Sequence, residues 1–319
     1  MFDPHTYSIL IAEDDPALRP LLMEVLLSEG YQVTIAQDGE EALERLRQAS
    51  FHMLITDIQM PRRDGFSLLQ EVDRDFPHMQ RIVLTAFNAD EYMDLIQNQN
   101  VGNVLIKSVP FNTEELVLLV HQLATQDIFG LDRHMLLGTR IRSATIRRSQ
   151  EIEELSELLS NLYGGSNNSS LLRTVLVELL TNAVFYGARK EKGEDKSQWR
   201  KDFVLSIDEA ISVQHAEDSE KIGFSIVDKG GHLNKKTILY WLNRQITPAQ
   251  NGLPAGLFDS HGRGLFIVRK SVDQLQIHVD PGRRCECIII NYKKPLSRRF
   301  KPIRIIEISP QADDSTPAM

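Results

Sequence analysis

LITDIQMPRRDG, residues 54–65, opens on an apolar run that stops at a carboxylate, Asp57. The same arrangement recurs on both sides of it. Residues 9–12 run into Glu13 and Asp14, residues 82–84 into Thr85, and residues 104–106 into Lys107. Between the runs, apolar residues fall at helical spacing, as in Leu18, Leu21, Leu22, Val25 and Leu26, and again in Ala42, Leu43 and Leu46. Short strands alternating with amphipathic helices predict an α/β unit of the (βα)5 doubly wound kind: a parallel sheet covered on both faces, with ligands at the carboxyl ends of its strands.

In such a sheet Glu13, Asp14 and Asp57 converge at one edge, and three carboxylates packed together need a cation. Mg²⁺ suits them, because it takes oxygen ligands octahedrally and leaves positions open for water or phosphate. Asp57 can then attack a phosphoryl donor, while the Thr85 hydroxyl and the Lys107 ammonium bind phosphate oxygens. With ILIAEDD (9–15), LITDIQMPRRDG and IVLTA (82–86), residues 9–120 resemble response-regulator receiver domains. The resemblance implies Asp57 as phosphoacceptor, Glu13 and Asp14 as metal ligands, Thr85 and Lys107 as a switch pair, and a sensor histidine kinase as partner. Two positions depart from that family. Ser108 and Val109 separate Lys107 from Pro110, and Val104 stands where an aromatic residue is usual.

The chain has 319 residues, 42% hydrophobic and 25% charged, enough for two cores of ordinary size. Its N-terminus lacks a basic stretch followed by an apolar core and cleavage site, and no apolar run approaches the roughly 18 residues of a membrane span. A cytoplasmic protein without membrane partners is therefore expected. Of the charges, 20 acidic against 8 basic residues lie at or before position 126, leaving 24 against 28 beyond it. Neither balance, nor any helix-turn-helix or finger spacing, points to DNA. Cys285 and Cys287, the two cysteines, read as reduced side chains on one strand face.

Residues 127–163 read as a mostly helical connector, with an apolar stripe of Ile152, Leu155, Leu158, Leu159 and Leu162. Arg140, Arg142, Arg147 and Arg148 precede Glu151, Glu153, Glu154 and Glu157, a segregation that could suit a second helix or a second copy of the chain, but packing of the stripe on the adjoining unit, with the charges facing solvent, is the simpler reading.

Three short boxes follow. In VELLTNAVFYGA (177–188), Glu178 and Asn182 share a helix face, where the amide can ligate Mg²⁺ and the carboxylate can orient or deprotonate a nucleophile. In IVDKGG (226–231), a strand ends at Asp228, able to accept from an exocyclic amine beside Gly230 and Gly231. In HGRGLFIVRKSVDQL (261–275), Gly262 and Gly264 open a helix whose amides can cradle phosphate. Together these resemble the N, G1 and G2 boxes of the GHKL ATP-binding fold, an α+β sandwich, and within it the anti-sigma-factor serine kinases. The resemblance implies Glu178 as catalytic base, Asn182 as Mg²⁺ ligand, Asp228 on adenine, Gly230, Gly262 and Gly264 around the phosphates, and a lid over residues 233–260. His232 replaces an expected glycine, and Cys285 and Cys287 lie near where a threonine is often found.

The expected division is a receiver at 1–126, a connector at 127–165, an ATP-binding unit at 166–295 and a tail at 296–319, strand-like from 303 to 308 and disordered over its last ten residues. The expected function is a response regulator whose phosphorylated receiver controls a serine kinase acting on an anti-anti-sigma-type partner. Two alternatives stand beside it: a barely catalytic nucleotide-binding module that sequesters a sigma factor, and a phosphorelay protein using His121 or His134.

Overall fold

A computed structural model of the chain describes residues 2–189, 202–247, 254, 256, 263–294 and 300–308. The N-terminal alternation resolves as β1 (Ser8–Ala12), α1 (Leu18–Ser28), β2 (Gln32–Ala36), α2 (Gly39–Gln48), β3 (Met53–Asp57), α3 (Gly65–Asp75), β4 (Gln80–Thr85), α4 (Met93–Asn98), β5 (Asn103–Ile106) and α5 (Thr113–Thr125). Its five strands are parallel, in the order β2-β1-β3-β4-β5. Central β3 is buried at every residue because helices cover both faces of the sheet. Local chemistry starts the helices. Asp38 accepts from the amides of Glu40 and Glu41 at α2, Asp64 from Ser67 at α3, and Asn112 from Glu115 at α5, each cap worth about 1 kcal/mol.

The second unit comprises β6 (Arg142–Ile146), α6 (Ser149–Tyr163), α7 (Gly165–Asn182) continued by a π-helical turn Ala183–Ala188, β7 (Ile211–Glu217), β8 (Lys221–Asp228), α8 (Lys235–Ile246), α9 (Arg263–Ser271), β9 (Gln274–Asp280) and β10 (Arg284–Tyr292). Its strands are antiparallel in the order β9-β10-β8-β7-β6. One face of this sheet, with Phe224, Ile226 and Ile277, packs on Leu176, Leu180 and Val268 from the helices. On the other, Ile288, Ile290 and Ala216 pack on Leu131 and Met135.

The helical reading of residues 127–163 needs correction. It contains a 3-10 turn, Leu131–His134, and strand β6, which pairs with β7 along its whole length. Ala144 and Ile146 alternate with exposed neighbours, a two-residue period too short to stand out beside the helical stripe of α6. Among the described residues one stretch, Asn168–Ala188, is long and apolar enough to cross a membrane by composition, and 56% of its most apolar 18-residue window is buried inside the fold.

The two units share one sheet. The last strand, β11 (Ile303–Glu307), pairs antiparallel with β5 through Ile303–Val104 and Arg304–Asn103, and parallel with β9 from Arg304–Gln276 to Glu307–Val279. Eleven strands thereby run without a break, and one apolar core continues from Leu54, Val83 and Val104 through Ile303 and Ile305 to Leu239 and Ile277. Burial of Ile303, Ile305 and Ile306 contributes roughly 1.5–3 kcal/mol each before the strand's ordering entropy is charged against it.

Polar contacts reinforce the junction. Arg304, fully buried, donates to Gln122 of α5, and Gln274 of β9 donates to Glu115 of the same helix. On the neighbouring helix, Asn243 of α8 donates to Asp94 and Gln97 of α4. Helix α8 occupies much of the span expected to be a lid, and it is docked on α4, so that part of the lid reading is corrected. Within the rest of the lid span, residues 248–253, 255 and 257–260 lie outside the described residues, as do 190–201 and 309–319.

Candidate functional site

The carboxyl ends of β1, β3, β4 and β5 bring together Glu13, Asp14, Asp57, Thr85 and Lys107, as the sequence predicted. One ligand oxygen from each of Glu13, Asp14 and Asp57 lies within 4.8 Å of the others. Lys107 Nζ donates to Asp57 Oδ2 at 2.6 Å and to Glu13 Oε1 at 2.7 Å. Glu13 Oε1 also accepts from the Asp15 amide at 3.1 Å, and Asp57 Oδ1 from the Gln59 amide at 3.3 Å. The Thr85 hydroxyl oxygen accepts from the Phe87 amide at 3.0 Å.

Burial raises the Asp57 and Glu13 carboxyls above the usual range, with Lys107 opposing it in both. Burial also works against the Lys107 ammonium, but its hydrogen bonds and charge contacts with Asp57 and Glu13 win and hold its pKa above the ordinary lysine value. The pocket therefore keeps a cation against partly desolvated carboxylates. Glu13 Oε2 is buried without a hydrogen-bond partner. A buried acceptor left over in a cluster of hard oxygen donors, with exposed Asp14 at its mouth, fits a divalent cation such as Mg²⁺.

The second group of predicted residues lies along α7 and its π-helical extension. Asn182 Nδ2 donates to Glu178 Oε1 at 3.2 Å. Gly264, near the start of α9, sits so close to Glu178 that an added Cβ would fall 1.6 Å from Glu178 Oε1. Nine residues further along the same helix, a Cβ on Gly187 would fall 2.4 Å from the carboxyl carbon of Asp228. Asp228, at the end of β8, is buried and accepts from the Gly230 and Gly231 amides at 2.9 and 3.4 Å. Desolvation nevertheless pushes its pKa up to about 6. Glu178–Gly264 and Asp228–Gly187 thus mark two contacts along one helix, roughly 13 Å apart along its axis at an α-helical rise. Gly262 lies outside the described residues.

Cys285 and Cys287 are free thiols on β10, Cys285 buried and paired in register with Asp228. His134 is 5% exposed. The sequence reading missed one cluster, Asp90 with Arg269 and Lys270, in which the carboxylate of the Ala89–Tyr92 turn meets two cations of α9 at 2.6 and 2.8 Å. With 179 residues between Asp90 and Arg269, no local pattern could have announced the contact.

The response regulator receiver domain family matches residues 9–121. The chain is 32% identical over 122 residues to the response regulator protein FleR of Pseudomonas aeruginosa, covering 38% of this chain and 25% of FleR. It is 34% identical over 118 residues to response regulator RR06 of Streptococcus pneumoniae, covering 36% of this chain and 51% of RR06. The chain thus spans about half, or less, of these curated relatives. It is also similar to the crystal structure of response regulator protein TrrA from Thermotoga maritima in complex with Mg(2+)-BeF, at 34% identity, covering 37% of this chain and 98% of that one with a TM-score of 0.34.

Proposed function

We propose that this chain, whose residues 9–121 are a response regulator receiver domain, is a two-component response regulator in which phosphorylation of Asp57 controls an ATP-binding, anti-sigma-type serine kinase acting on an anti-anti-sigma-like partner. The receiver half rests on one observation above all: three carboxylate oxygens within 4.8 Å of one another, with Lys107 Nζ 2.6 Å from Asp57. An Asp57 oxygen attacks the phosphorus of a sensor kinase's phosphohistidine, the P–N bond breaks, the imidazole recovers its proton, and an acyl phosphate remains. Mg²⁺ held by Glu13, Asp14 and Asp57 would offset the charge that collects there. Lys107 and the Thr85 hydroxyl bind the phosphoryl oxygens.

For the second half, support comes from one helix that sets Glu178 beside Gly264 and Asn182 and, further along, Gly187 beside Asp228. Adenine on Asp228 and phosphates at Gly230, Gly262 and Gly264 would lie along that helix. Asn182 would hold the nucleotide's Mg²⁺, and Glu178 would take the proton from a partner's serine as its oxygen attacks the γ-phosphorus and ADP leaves. Full-length protein incubated with labelled ATP, Mg²⁺ and candidate partners should yield acid-stable phosphoserine. None on any partner would refute the kinase assignment.

One observation favours a second reading. Glu178 already accepts a hydrogen bond from Asn182, as suits a nucleotide-loaded module that sequesters a sigma factor with little turnover. Replacing Glu178 by Gln discriminates, since sequestration would survive it. The phosphorelay alternative gains nothing from buried His134.

A further inference from the structure

Asp90 belongs to the receiver, yet its partners do not. Its Oδ1 accepts from Arg269 Nη1 at 2.6 Å and its Oδ2 from Lys270 Nζ at 2.8 Å, both on α9. The Asp90 and Arg269 side chains are only 10% and 5% exposed, and a charge pair so desolvated is felt strongly when one member moves away. The C-terminal turn of α9 is held from a second side. Arg269 Nη2 donates to the Lys301 carbonyl, and Lys301 Nζ donates to the carbonyls of Arg269, Lys270 and Val272 at 3.1, 2.6 and 2.7 Å. At its other end, α9 carries Gly264 against Glu178.

The turn that bears Asp90 is tied equally closely to Asp57. Phe87, two residues before the Ala89–Tyr92 turn and joined to it through Asn88, is anchored by its amide on the Thr85 hydroxyl oxygen. Gln59 bridges from the other direction, donating through its amide to Asp57 Oδ1 and through Nε2 to the Tyr92 hydroxyl at 3.1 Å. A phosphoryl group on Asp57 brings new acceptor oxygens among these donors. A rotation of the Thr85 or Gln59 side chain toward them would break the bond that each now makes to the loop carrying the Ala89–Tyr92 turn.

We propose that Asp90, Arg269 and Lys270 form an intramolecular latch through which the occupancy of Asp57 resets helix α9 and, with it, the seating of Gly264 on Glu178. Two arrangements of one packed element, biased from a site on the far side of the junction, are what such coupling requires. The movement of α9 stands apart from the nucleotide reading; only its consequence for ATP rests on that reading.

Hydrogen exchange on the full-length chain, with and without Mg²⁺ and beryllofluoride, tests the latch. Protection of peptides covering 54–65 reports loading of Asp57 in the same spectra. In the wild type, residues 263–271 should change their exchange rate by roughly tenfold on loading. Asp90→Asn and Arg269→Gln should show one rate in both conditions, while Arg269→Lys, which keeps the charge, should retain the response. An unchanged rate at 263–271 with Asp57 loaded, a full response in Asp90→Asn, or no loading at all would overturn the proposal. A fluorescent ATP analogue added to the same samples separates the two ideas. Movement of α9 without any nucleotide binding would leave the latch standing and remove the ATP site.

Discussion

Ile303 of β11 pairs with Val104 of β5, so the edge of the receiver's sheet is closed by another strand of the same chain. An uncovered parallel edge strand invites pairing with other chains. Here the edge is the middle of a longer sheet, and Val104 is fully buried where the family usually carries an aromatic residue.

This junction depends on close approach at Gly102, whose amide neighbour across the seam is Ile305: Ile305 N donates to Gly102 O at 2.7 Å. An added Cβ at Gly102 would fall 2.2 Å from the Ile305 carbonyl oxygen, a backbone atom that cannot turn aside. Gly102→Ala should therefore destabilise the protein by about 1–3 kcal/mol and promote self-association through β5. Urea unfolding and sedimentation velocity check this; unchanged stability and a monomer would show that β11 does not occupy the edge in solution.

Lys107→Ala removes the cation that two buried carboxylates share. Loss of one partner from such a cluster costs about 3–5 kcal/mol. A divalent ion can replace the missing charge, so the melting temperature of the variant should rise on adding Mg²⁺ more than that of the wild type does. Equal Mg²⁺ responses in the two proteins would argue against a cation site at Glu13, Asp14 and Asp57.

Asp228 supplies a pH test. Its folded pKa of about 6 lies above the ordinary aspartate value of 3.8, with desolvation as the main cause. Between those values the folded state holds more protons than the unfolded chain. The group's contribution is thus most favourable below pH 3.8, falls by about 3 kcal/mol as pH rises to 6, and is flat beyond. Asp228→Asn should abolish that slope and raise stability at pH 7.5, since an amide oxygen can still accept from Gly230 and Gly231. A variant less stable than wild type at pH 7.5 would contradict the assigned burial cost.

Gly264→Ala should weaken binding of adenine nucleotides, because the new methyl group must displace Glu178. Glu178→Gln should leave nucleotide affinity nearly intact while lowering phosphotransfer to a partner serine by ~10²–10⁴-fold. Isothermal titration together with a phosphoserine assay separates the two effects. Loss of binding in Glu178→Gln would assign the residue to the pocket wall and not to proton transfer.

The receiver was legible in sequence because each of its reactive residues follows a buried apolar run, so one periodicity placed Glu13, Asp14, Asp57, Thr85 and Lys107 at the same sheet edge. Along α7, the four-residue step from Glu178 to Asn182 was readable for the same reason: helical geometry fixes it locally. Strand β6 was not, since five residues with one fully buried side chain carry little signal next to the stripe of α6. The role of β11 was hidden differently. Its strand character shows in Ile303, Ile305 and Ile306, but its partners lie roughly 200 residues back in β5 and a few tens back in β9, and pairing across such distances leaves no local trace. Arg304 illustrates the point, for a lone arginine in an apolar tail reads as exposed, whereas Gln122 and Glu115 of α5 make its burial tenable.

Equilibrium binding of a fluorescent adenine nucleotide to the full-length protein, with and without phosphoramidate to phosphorylate Asp57, tests control of the second unit by the first. The account predicts Mg²⁺-dependent binding whose dissociation constant shifts about tenfold, equivalent to roughly 1.4 kcal/mol, on phosphorylation, and no shift in Asp57→Asn. Absence of nucleotide binding, or the same affinity with Asp57 phosphorylated and unphosphorylated, would contradict it.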